Sequence, residues 1–332
     1  MAAAYFTTSG AESNESAFKF ARYYWKRMGK PEKVKIISRR YGYHGVTMAA
    51  MSATSLPGYQ KMFGPLTPEF LQVAPPYPYR WPGNGDAGIE AADAVEEAIL
   101  RQGAGGVIVP PPTYFPRLRE ICDRHGVLLI AGEVITGFGR TGKWFAPGHW
   151  GIEPDLMSFA KGVTSGYLPL GGVLVSKTIH KAIEEAPMDE KFMHAATYSG
   201  HPACCAVGLA NIAIIEREGL VERAAAQGDR FRAGLNTLAA LPAVGEVRGI
   251  GMLAAIELVE DKGSKKPAPG LGAKVVAEAG KRGLIIRQRA GAEGPPASGD
   301  SLCLAPPLMT PEATLDRIVE IVGESIVTAS AG

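Results

Sequence analysis

Cysteine is scarce in this sequence of 332 residues. The four cysteines are Cys122, Cys204, Cys205 and Cys303. They form no CxxC pair and no cluster with histidine, which are the spacings that mark zinc sites and disulfide-stapled small domains. We therefore expect neither a metal site nor a disulfide framework, and reduced thiols favour a cytoplasmic protein.

Long apolar runs and long basic runs are also missing. No uninterrupted apolar stretch is long enough to cross a bilayer, and residues 1–10 lack the charged start and apolar core of a signal peptide. The 35 basic and 33 acidic residues are spread along the chain and leave a formal net charge of +2. Nucleic-acid surfaces concentrate lysine and arginine on one face. We therefore expect neither a nucleic acid nor a membrane as a partner.

Short apolar runs alternate with amphipathic stretches in the first two thirds of the chain, and 46% of all residues are hydrophobic. The alternation predicts an α/β fold with a mainly parallel sheet. The predicted helices cover residues 12–28, 89–100 and 115–124, and the predicted strands cover residues 34–38, 127–131, 156–160 and 172–176. The run at 127–131 is apolar throughout, which predicts a strand that is covered on both faces.

The pattern changes after Pro202. Helices are predicted at residues 203–217, 220–241, 273–282 and 311–326, strands at 247–258 and 284–287, and loops at 70–87 and 289–300. These elements describe a smaller α+β unit, so we expect a large domain over residues 1–208 and a small domain over residues 209–332. Residues 1–10 predict a strand that enters a glycine turn, and a start on an inner strand suggests that a preceding segment is missing.

Two short motifs could hold a flat, phosphorylated ligand, although each is weak alone. In TSGAESNE, residues 8–15, a strand, a turn of small residues and a helix start make an anion site. The more common reading of such a turn is that Ser9 or Ser13 simply caps the helix. In YGYHG, residues 41–45, an aromatic side chain beside glycines can stack on a heterocycle, and more often it packs within a loop.

A third motif, SFAKG, places Lys161 at the end of an apolar strand and before a glycine. Burial there would lower the pKa of the amine, and a neutral amine is what imine chemistry needs. The alternative is a lysine that reaches out to solvent from the end of a strand.

Together with GEVITGFGRTG at residues 132–142 and TYSGHP at residues 197–202, these motifs stand in an order that resembles the class III aminotransferases. The resemblance extends from residue 5 to residue 327 and is strongest to the ω-amino acid:pyruvate and amine:pyruvate transaminases. It implies the α/β fold of the fold-type-I pyridoxal-phosphate-dependent transferases and pyridoxal 5'-phosphate as the cofactor. It also implies an amine or amino acid and a keto acid as substrates.

The resemblance assigns the cofactor contacts residue by residue. Lys161 would form the imine with the cofactor and then move a proton between the substrate and the cofactor. Gly10 and Ala11 would donate backbone N–H groups to the phosphate. Tyr43 would stack on one face of the pyridine ring, and Val134 would pack against the other face.

Three further residues follow from the resemblance. Thr197 matches the threonine that reaches the phosphate of the neighbouring subunit, which implies a homodimer with shared sites. Arg287 and Arg289 are both candidates for binding the substrate carboxylate, because a planar guanidinium suits bidentate binding. For either arginine, a solvated charge at the end of a strand is the alternative.

The chain departs from the family pattern at the end of the strand before GFGRTG. The family has Asp-Glu-Val there, whereas this chain has Gly132-Glu133-Val134, so the aspartate that pairs with the pyridinium nitrogen is replaced by Gly132. That ion pair keeps the ring protonated, so that it can accept electrons. Glu133 is a poor substitute, because adjacent side chains in a strand point to opposite faces.

Two larger parts of the family pattern are missing. A strand carrying a Glu-Pro pair should precede the glycine loop at residues 102–106, but here a helix runs straight into that loop. Loss of an interior strand leaves its neighbours with unpaired backbone groups. Residues 107–109 could fill part of the gap, but the prolines at 110–112 would cut such a strand short. The N-terminal segment that completes the small domain in the family is absent as well.

These departures leave four functions open. The leading one is amino transfer from an amine or ω-amino acid to pyruvate. An aminomutase would keep the fold and need no keto acid acceptor. A remnant without catalytic activity would fit Gly132 and the missing strand. A nucleotide-binding protein of the Rossmann type would need a GxGxxG fingerprint, which TSGAESNE lacks.

Overall fold

The computed structural model describes residues 1–100, 109–291 and 298–331. Contacts divide the chain into two compact units. The first contains Met1–Pro78, Gly85–Phe138 and Phe145–Ile214, and the second contains Tyr79–Asn84, Gly139–Trp144 and Ile215–Gly332. The domain boundary suggested after residue 208 falls within a helix, Pro202–Arg217, and stays a prediction.

The first unit alternates strands and helices. Its strands are β1 (Ala3–Thr7), β2 (Ile36–Arg39), β3 (Phe70–Val73), β4 (Ile130–Gly132), β5 (Leu156–Phe159) and β6 (Gly171–Val175). Its helices are α1 (Gly10–Arg27), α2 (Met48–Ala53), α3 (Ala87–Leu100), α4 (Tyr114–His125), α5 (Lys177–Glu184) and α6 (Pro202–Arg217). The helices predicted at 12–28, 89–100 and 115–124 agree with α1, α3 and α4 to within two residues. None of the described helices has the length and apolar composition needed to cross a membrane.

The main sheet of this unit has the strand order β1-β6-β5-β4. β6 pairs antiparallel with β1 and β5, and β4 pairs parallel with β5, so three of the four strands run in one direction. The mainly parallel sheet is therefore confirmed. Among the described strands β1 has a single neighbour, so the expectation that the chain begins on an inner strand is wrong. It rested on a strand that leads at once into a glycine turn, and in the structure this strand pairs with β6 while its Tyr5 packs against the cluster that contains Phe20 of α1.

β2 and β3 form a separate pair. They run parallel, with Ile36 opposite Phe70, and they join no other described strand. β3 lies in the stretch predicted as the loop at residues 70–87, so that part of the prediction is wrong. The surrounding prolines and glycines hid a strand of four residues that is held by its pairing with β2.

β4 is shorter and more open than the sequence suggested. The strand expected at residues 127–131 is three residues long, with Ile130 and Ala131 half-buried and Gly132 exposed. Full cover on both faces is therefore wrong, because two of its three residues are only half-buried and the third is exposed. β5 is the only described strand beside β4. Loss of a strand between β4 and β2 would separate a larger sheet into two such parts. The predicted glycine loop at 102–106, and most of 107–109, lie outside the described residues.

The second unit is α+β, as predicted. Its elements are α7 (Leu220–Thr237), β7 (Val244–Ile250), β8 (Leu253–Asp261), β9 (Lys266–Pro267), α8 (Leu271–Lys281), β10 (Arg287–Arg289), β11 (Ser301–Leu304) and α9 (Glu312–Ser330). The sheet has the order β10-β11-β8-β7, and β9 pairs with β8. The single strand predicted at 247–258 is in fact the β7–β8 hairpin, because Gly251 turns the chain with a φ of +54°. β11 was not predicted.

Candidate active site

Three parallel strands deliver the candidate residues to one edge of the main sheet. α1 begins shortly after β1, Val134 follows β4, and Lys161 follows β5. Because β1, β4 and β5 run in the same direction, their carboxyl ends share one edge. Open α/β sheets bind their ligands just outside this edge. The structure therefore brings Gly10, Val134 and Lys161 together.

The first turn of α1 is built to bind an anion. Ser9 caps the helix and its Oγ accepts the N–H of Glu12, while Thr8 donates its N–H and its hydroxyl to Oε2 of Glu12. The N–H groups of Gly10 and Ala11 come before any intrahelical acceptor. An 18-residue helix directs the positive end of its dipole at the same place. Ser9 thus caps the helix, and binding of an anion by Gly10 and Ala11 stays a prediction.

Glycine at position 10 permits a close approach. A Cβ there would lie 2.8 Å from Cγ1 of Val134, so Val134 sits directly against the start of α1. Gly45 allows a second close approach, since a Cβ on it would lie 2.6 Å from Cβ of Ala11. These two contacts bring the 41–45 loop and the end of β4 to the first turn of α1.

Tyr43 belongs to the 41–45 loop and is 46% exposed. Its ring meets the ring of Tyr59 edge-on at 5.2 Å between centroids, so it is not packed into the core. The loop is tied to α1 by Nδ2 of Asn14, which donates to the carbonyl of His44 at 2.6 Å. An exposed ring on an anchored loop is what stacking on a planar ligand requires.

Lys161 opens a short 3-10 turn, Lys161–Val163, directly after the buried strand β5 and the buried Ala160. The lysine itself is exposed, so the expected burial is wrong. The reason is local: its φ of +44° turns the chain out of the sheet at the open carboxyl edge. This left-handed conformation is uncommon for a residue with a Cβ, and such strain persists where the surroundings impose it.

A buried polar network behind Lys161 ties β5 to α1. Ser158 Oγ donates to Oδ1 of Asn14 at 2.7 Å, and Ser13 Oγ donates to the carbonyl of Phe159 at 2.9 Å. These residues were missed by the sequence reasoning. The available signal was that Asn14 stands four residues after Gly10, and therefore on the same face of the helix.

The end of β4 has room for a side chain that it does not carry. Gly132 is exposed and pairs in register with Ser158, and the nearest atom to a Cβ on it would be Ser158 Oγ at 4.0 Å. Glu133 is buried and accepts hydrogen bonds from Thr136 Oγ1 at 2.9 Å and from the N–H of Ala146 at 2.7 Å. Burial raises the pKa of Glu133. The carboxylate of Glu133 therefore makes its hydrogen bonds away from Gly132, as the alternation of side chains along a strand predicts.

Thr197 also lies in the first unit, in an exposed segment that contains a turn closed by a hydrogen bond between Ala196 N–H and Ser199 Oγ. Within this chain it does not join the residues at the sheet edge by any described contact. Its predicted contact with a phosphate in a neighbouring subunit stays a prediction.

Arg287 and Arg289 lie on β10 in the second unit, opposite Cys303 and Ser301 of β11. Arg287 is exposed, whereas Arg289 is half-buried. Burial raises the pKa of the Cys303 thiol, and the positive charges of Arg248, Arg289 and Arg287 oppose that rise.

The comparison with known proteins agrees with the geometry of the candidate site. The family "Aminotransferase class-III" matches residues 3–326. The chain is 41% identical to an uncharacterized aminotransferase of Bacillus subtilis, over 98% of this chain and 75% of the relative. It is 38% identical to a putrescine–pyruvate aminotransferase of Pseudomonas aeruginosa, over 96% of this chain and 71% of the relative.

Among solved structures, the chain is similar to an (S)-enantioselective ω-transaminase from Thermomicrobium roseum. The TM-score is 0.90 at 43% identity, over 98% of this chain and 75% of that structure. The match to the Bacillus subtilis relative extends over 342 residues, more than the 332 of this chain, so that relative carries residues inside the matched region that this chain lacks.

Proposed function

This chain belongs to the class III aminotransferase family of pyridoxal-phosphate-dependent transferases, and on that premise we propose that it transfers an amino group from an amine or ω-amino acid to pyruvate. The observation that carries the proposal is that the first turn of α1 and Lys161 lie at the same edge of the main sheet. The Pseudomonas aeruginosa relative, named for putrescine and pyruvate, supports the choice of donor and acceptor.

The residues present fit most of the cofactor. Gly10 and Ala11 offer backbone N–H groups at a helix N-terminus, and at Gly10 the close approach of Val134 leaves no space for a side chain. Tyr43 and Val134 are the proposed walls for the two faces of the ring. Lys161 is the proposed point of covalent attachment. The ring nitrogen is the exception, because Gly132 provides no carboxylate to pair with it.

When bound, pyridoxal phosphate supplies a carbon that bonds an amine and a ring that withdraws electrons from it. The chain supplies position and proton transfer. The helix dipole of α1 and the N–H groups of Gly10 and Ala11 would hold the phosphate. Nζ of Lys161 would take the proton from the substrate carbon that bears the amino group and deliver it to the cofactor. Arg287 or Arg289 binds the carboxylate of an ω-amino acid or of pyruvate.

The proposal includes a homodimer in the cytoplasm. Thr197 is exposed within one chain, and its proposed role is to reach the phosphate held by the partner. The four cysteines are free, which suits a reducing compartment.

A catalytically inactive remnant is the second candidate, and one observation favours it. The exposed Gly132 removes the electrostatic partner of the ring at the same strand end where β4 lacks a described outer neighbour. A protein of this kind would bind the cofactor and turn over no substrate.

Covalent attachment is tested first. Purified chain is mixed with pyridoxal phosphate, its absorbance spectrum is recorded, and borohydride reduction is followed by peptide mapping. We expect the pyridoxyl label on Lys161 and its loss in Lys161→Arg, which keeps the positive charge. Lys181, with 73% of its side chain exposed, is the internal control for non-specific labelling. A label confined to scattered surface lysines contradicts the proposal.

Turnover is tested second, by following amine consumption with and without pyruvate. Consumption that requires pyruvate and yields alanine supports amino transfer. Consumption without an acceptor indicates an aminomutase instead. Specific labelling of Lys161 with no consumption in either condition supports the inactive remnant.

A further inference from the structure

We propose that Asn211 of α6 is a positioning residue that holds Lys161 in its reactive conformation. It acts through the backbone that follows the lysine and touches neither the substrate nor the cofactor. This inference rests on the proposed role of Lys161 and adds a residue that no motif identified.

Asn211 clamps the turn that Lys161 opens. Its Nδ2 donates to the carbonyl of Gly162 at 2.9 Å and to the carbonyl of Val163 at 3.1 Å. Its Oδ1 accepts the hydroxyl of Ser165 at 2.7 Å. One side chain thus binds three of the four residues that come after Lys161.

The turn needs these hydrogen bonds, because two of its residues have strained backbone conformations. Lys161 has a φ of +44° and Ser165 has a φ of +50°, so two residues with a Cβ adopt left-handed geometry within five positions. β5 ends at Phe159, so sheet hydrogen bonds do not reach this segment. Left-handed geometry is unfavourable for a residue with a Cβ, and it persists only where surrounding contacts impose it.

Helix α6 packs against the loop after Lys161 and therefore supports the side chain of Asn211. A Cβ on Gly208 would lie 2.9 Å from Cδ2 of Leu170 and 3.7 Å from Cγ2 of Val163, so the helix rests directly on the loop after Lys161. Gly208 and Asn211 are three residues apart and share one face of α6. The amide of Asn211 is therefore delivered by a regular helix that is already in contact with the loop.

The stereochemistry explains why asparagine suits this position. Two carbonyl oxygens and one hydroxyl converge on the side chain, and only an amide combines two N–H donors with an acceptor in that space. Asn211→Asp keeps the size and the acceptor and removes both donors. It also sets a carboxylate against two carbonyl oxygens. Ser165→Ala leaves the carbonyl bonds intact and removes the bond that orients the amide.

The test measures covalent attachment on the full chain at a temperature where every variant is folded. Each protein is mixed with pyridoxal phosphate, reduced with borohydride after a fixed short time and mapped. The readout is label on Lys161 divided by label on Lys181 in the same sample. Asn211→Asp, Asn211→Ala and Ser165→Ala are compared with Asn236→Asp, the same chemical change at an exposed position on α7.

Loss of two hydrogen bonds should lower the Lys161 to Lys181 ratio roughly 10- to 100-fold in both Asn211 variants, and loss of the orienting bond about 2- to 10-fold in Ser165→Ala. Asn236→Asp should leave the ratio unchanged. A clamp that serves stability alone would lower the melting temperature and leave the ratio intact, which overturns the proposal. If the Asn211 variants do not fold, an unchanged ratio in Ser165→Ala is the overturning result. Absence of specific label in the unaltered chain refutes the role of Lys161 itself, so the two failures are distinguishable.

Discussion

At the scale of single residues, Gly132 at the end of β4 has no side chain where the family pattern has an aspartate. Gly132 lies at the carboxyl edge of the sheet, where its position is exposed and a Cβ would meet only Ser158 Oγ at 4.0 Å. The φ angle of Gly132 is not positive, so a residue with a side chain can adopt the same backbone conformation without strain. The missing group can therefore be restored by one substitution without rebuilding the strand.

Gly132→Asp should raise the rate of pyruvate-dependent amine consumption. If the ion pair with the ring is worth about 3–5 kcal/mol in the transition state, the gain is roughly 10²- to 10⁴-fold. Gly132→Asn is the matched control, because it adds the same volume without the charge, and it should raise the rate far less. Equal rates in the two variants, or an unaltered chain that already works at a rate usual for aminotransferases, would show that another group holds the ring nitrogen.

Glu133, the neighbour of Gly132, predicts a pH effect on stability. Burial raises the pKa of this carboxyl above its ordinary value of 4.5, so the folded state binds a proton that the unfolded state releases. Its contribution to the free energy of unfolding is therefore present at acid pH and is lost as pH rises from about 4.5 through the raised value.

Glu133→Gln should remove this loss. The amide can accept the N–H of Ala146 and donate to Thr136 Oγ1, because a hydroxyl both donates and accepts. We expect the variant to gain melting temperature relative to the unaltered chain at pH 8 and to gain less at pH 5. The control is Glu153→Gln, at an exposed position. An identical change in melting temperature at both pH values would contradict the prediction.

At the scale of secondary structure, the separation of β4 from β2 is the most consequential feature. Ile130 of β4 packs against the cluster of Phe18 from α1, Ile36 from β2 and Ala53 from α2, although β4 and β2 do not pair. Side-chain packing that includes α1 therefore connects the main sheet to the β2–β3 pair. Backbone groups on the outer side of β4 have no partner among the described strands.

Insertion of an apolar strand of the family type before Gln102 should raise the melting temperature by several degrees and increase the soluble yield. The added strand would pair with β4 and cover Ile130, and each kcal/mol gained is worth about 2–4 °C in a domain of this size. An insertion of equal length made of glycine and serine is the control, since it lengthens the chain without adding a strand. A similar gain from both insertions would argue against a missing strand.

At the scale of the whole molecule, the proposed site needs residues from two chains. Thr197 is exposed and has no described contact with the first turn of α1 in its own chain. We therefore predict that Thr197 contacts the phosphate of a neighbouring subunit, across an interface between the two chains.

Sedimentation of the protein with pyridoxal phosphate should give twice the chain mass of 35.1 kDa. Thr197→Ala should weaken cofactor binding roughly 10- to 100-fold, the value of one hydrogen bond to a charged group, and leave the mass unchanged. Ser199→Ala, in the same turn, serves as the control for local disruption. A stable monomer that binds the cofactor as tightly as expected would rule out this role for Thr197.

The sequence by itself determined the kind of chemistry and the order of the parts. Helix periods, the glycine after α4 and the apolar run of β5 depend on residues close together in the chain, so α1, α3, α4 and β5 were predicted to within two residues. The motifs around Gly10, Val134 and Lys161 were recognisable because they combine residue types that suit a phosphate, a ring and an amine in a set order along the chain. The replacement at Gly132 was equally visible.

Only the tertiary structure decided features that depend on residues distant in sequence. β3 exists because β2 lies beside it, and the edge position of β1 follows from pairing with β6 more than 160 residues later. Lys161 is exposed because of a left-handed turn, which no periodicity reveals. Asn211 hydrogen-bonds to that turn, although about 50 residues separate the two in the sequence. Such contacts arise when helices and strands pack in three dimensions, and local sequence patterns carry no record of them.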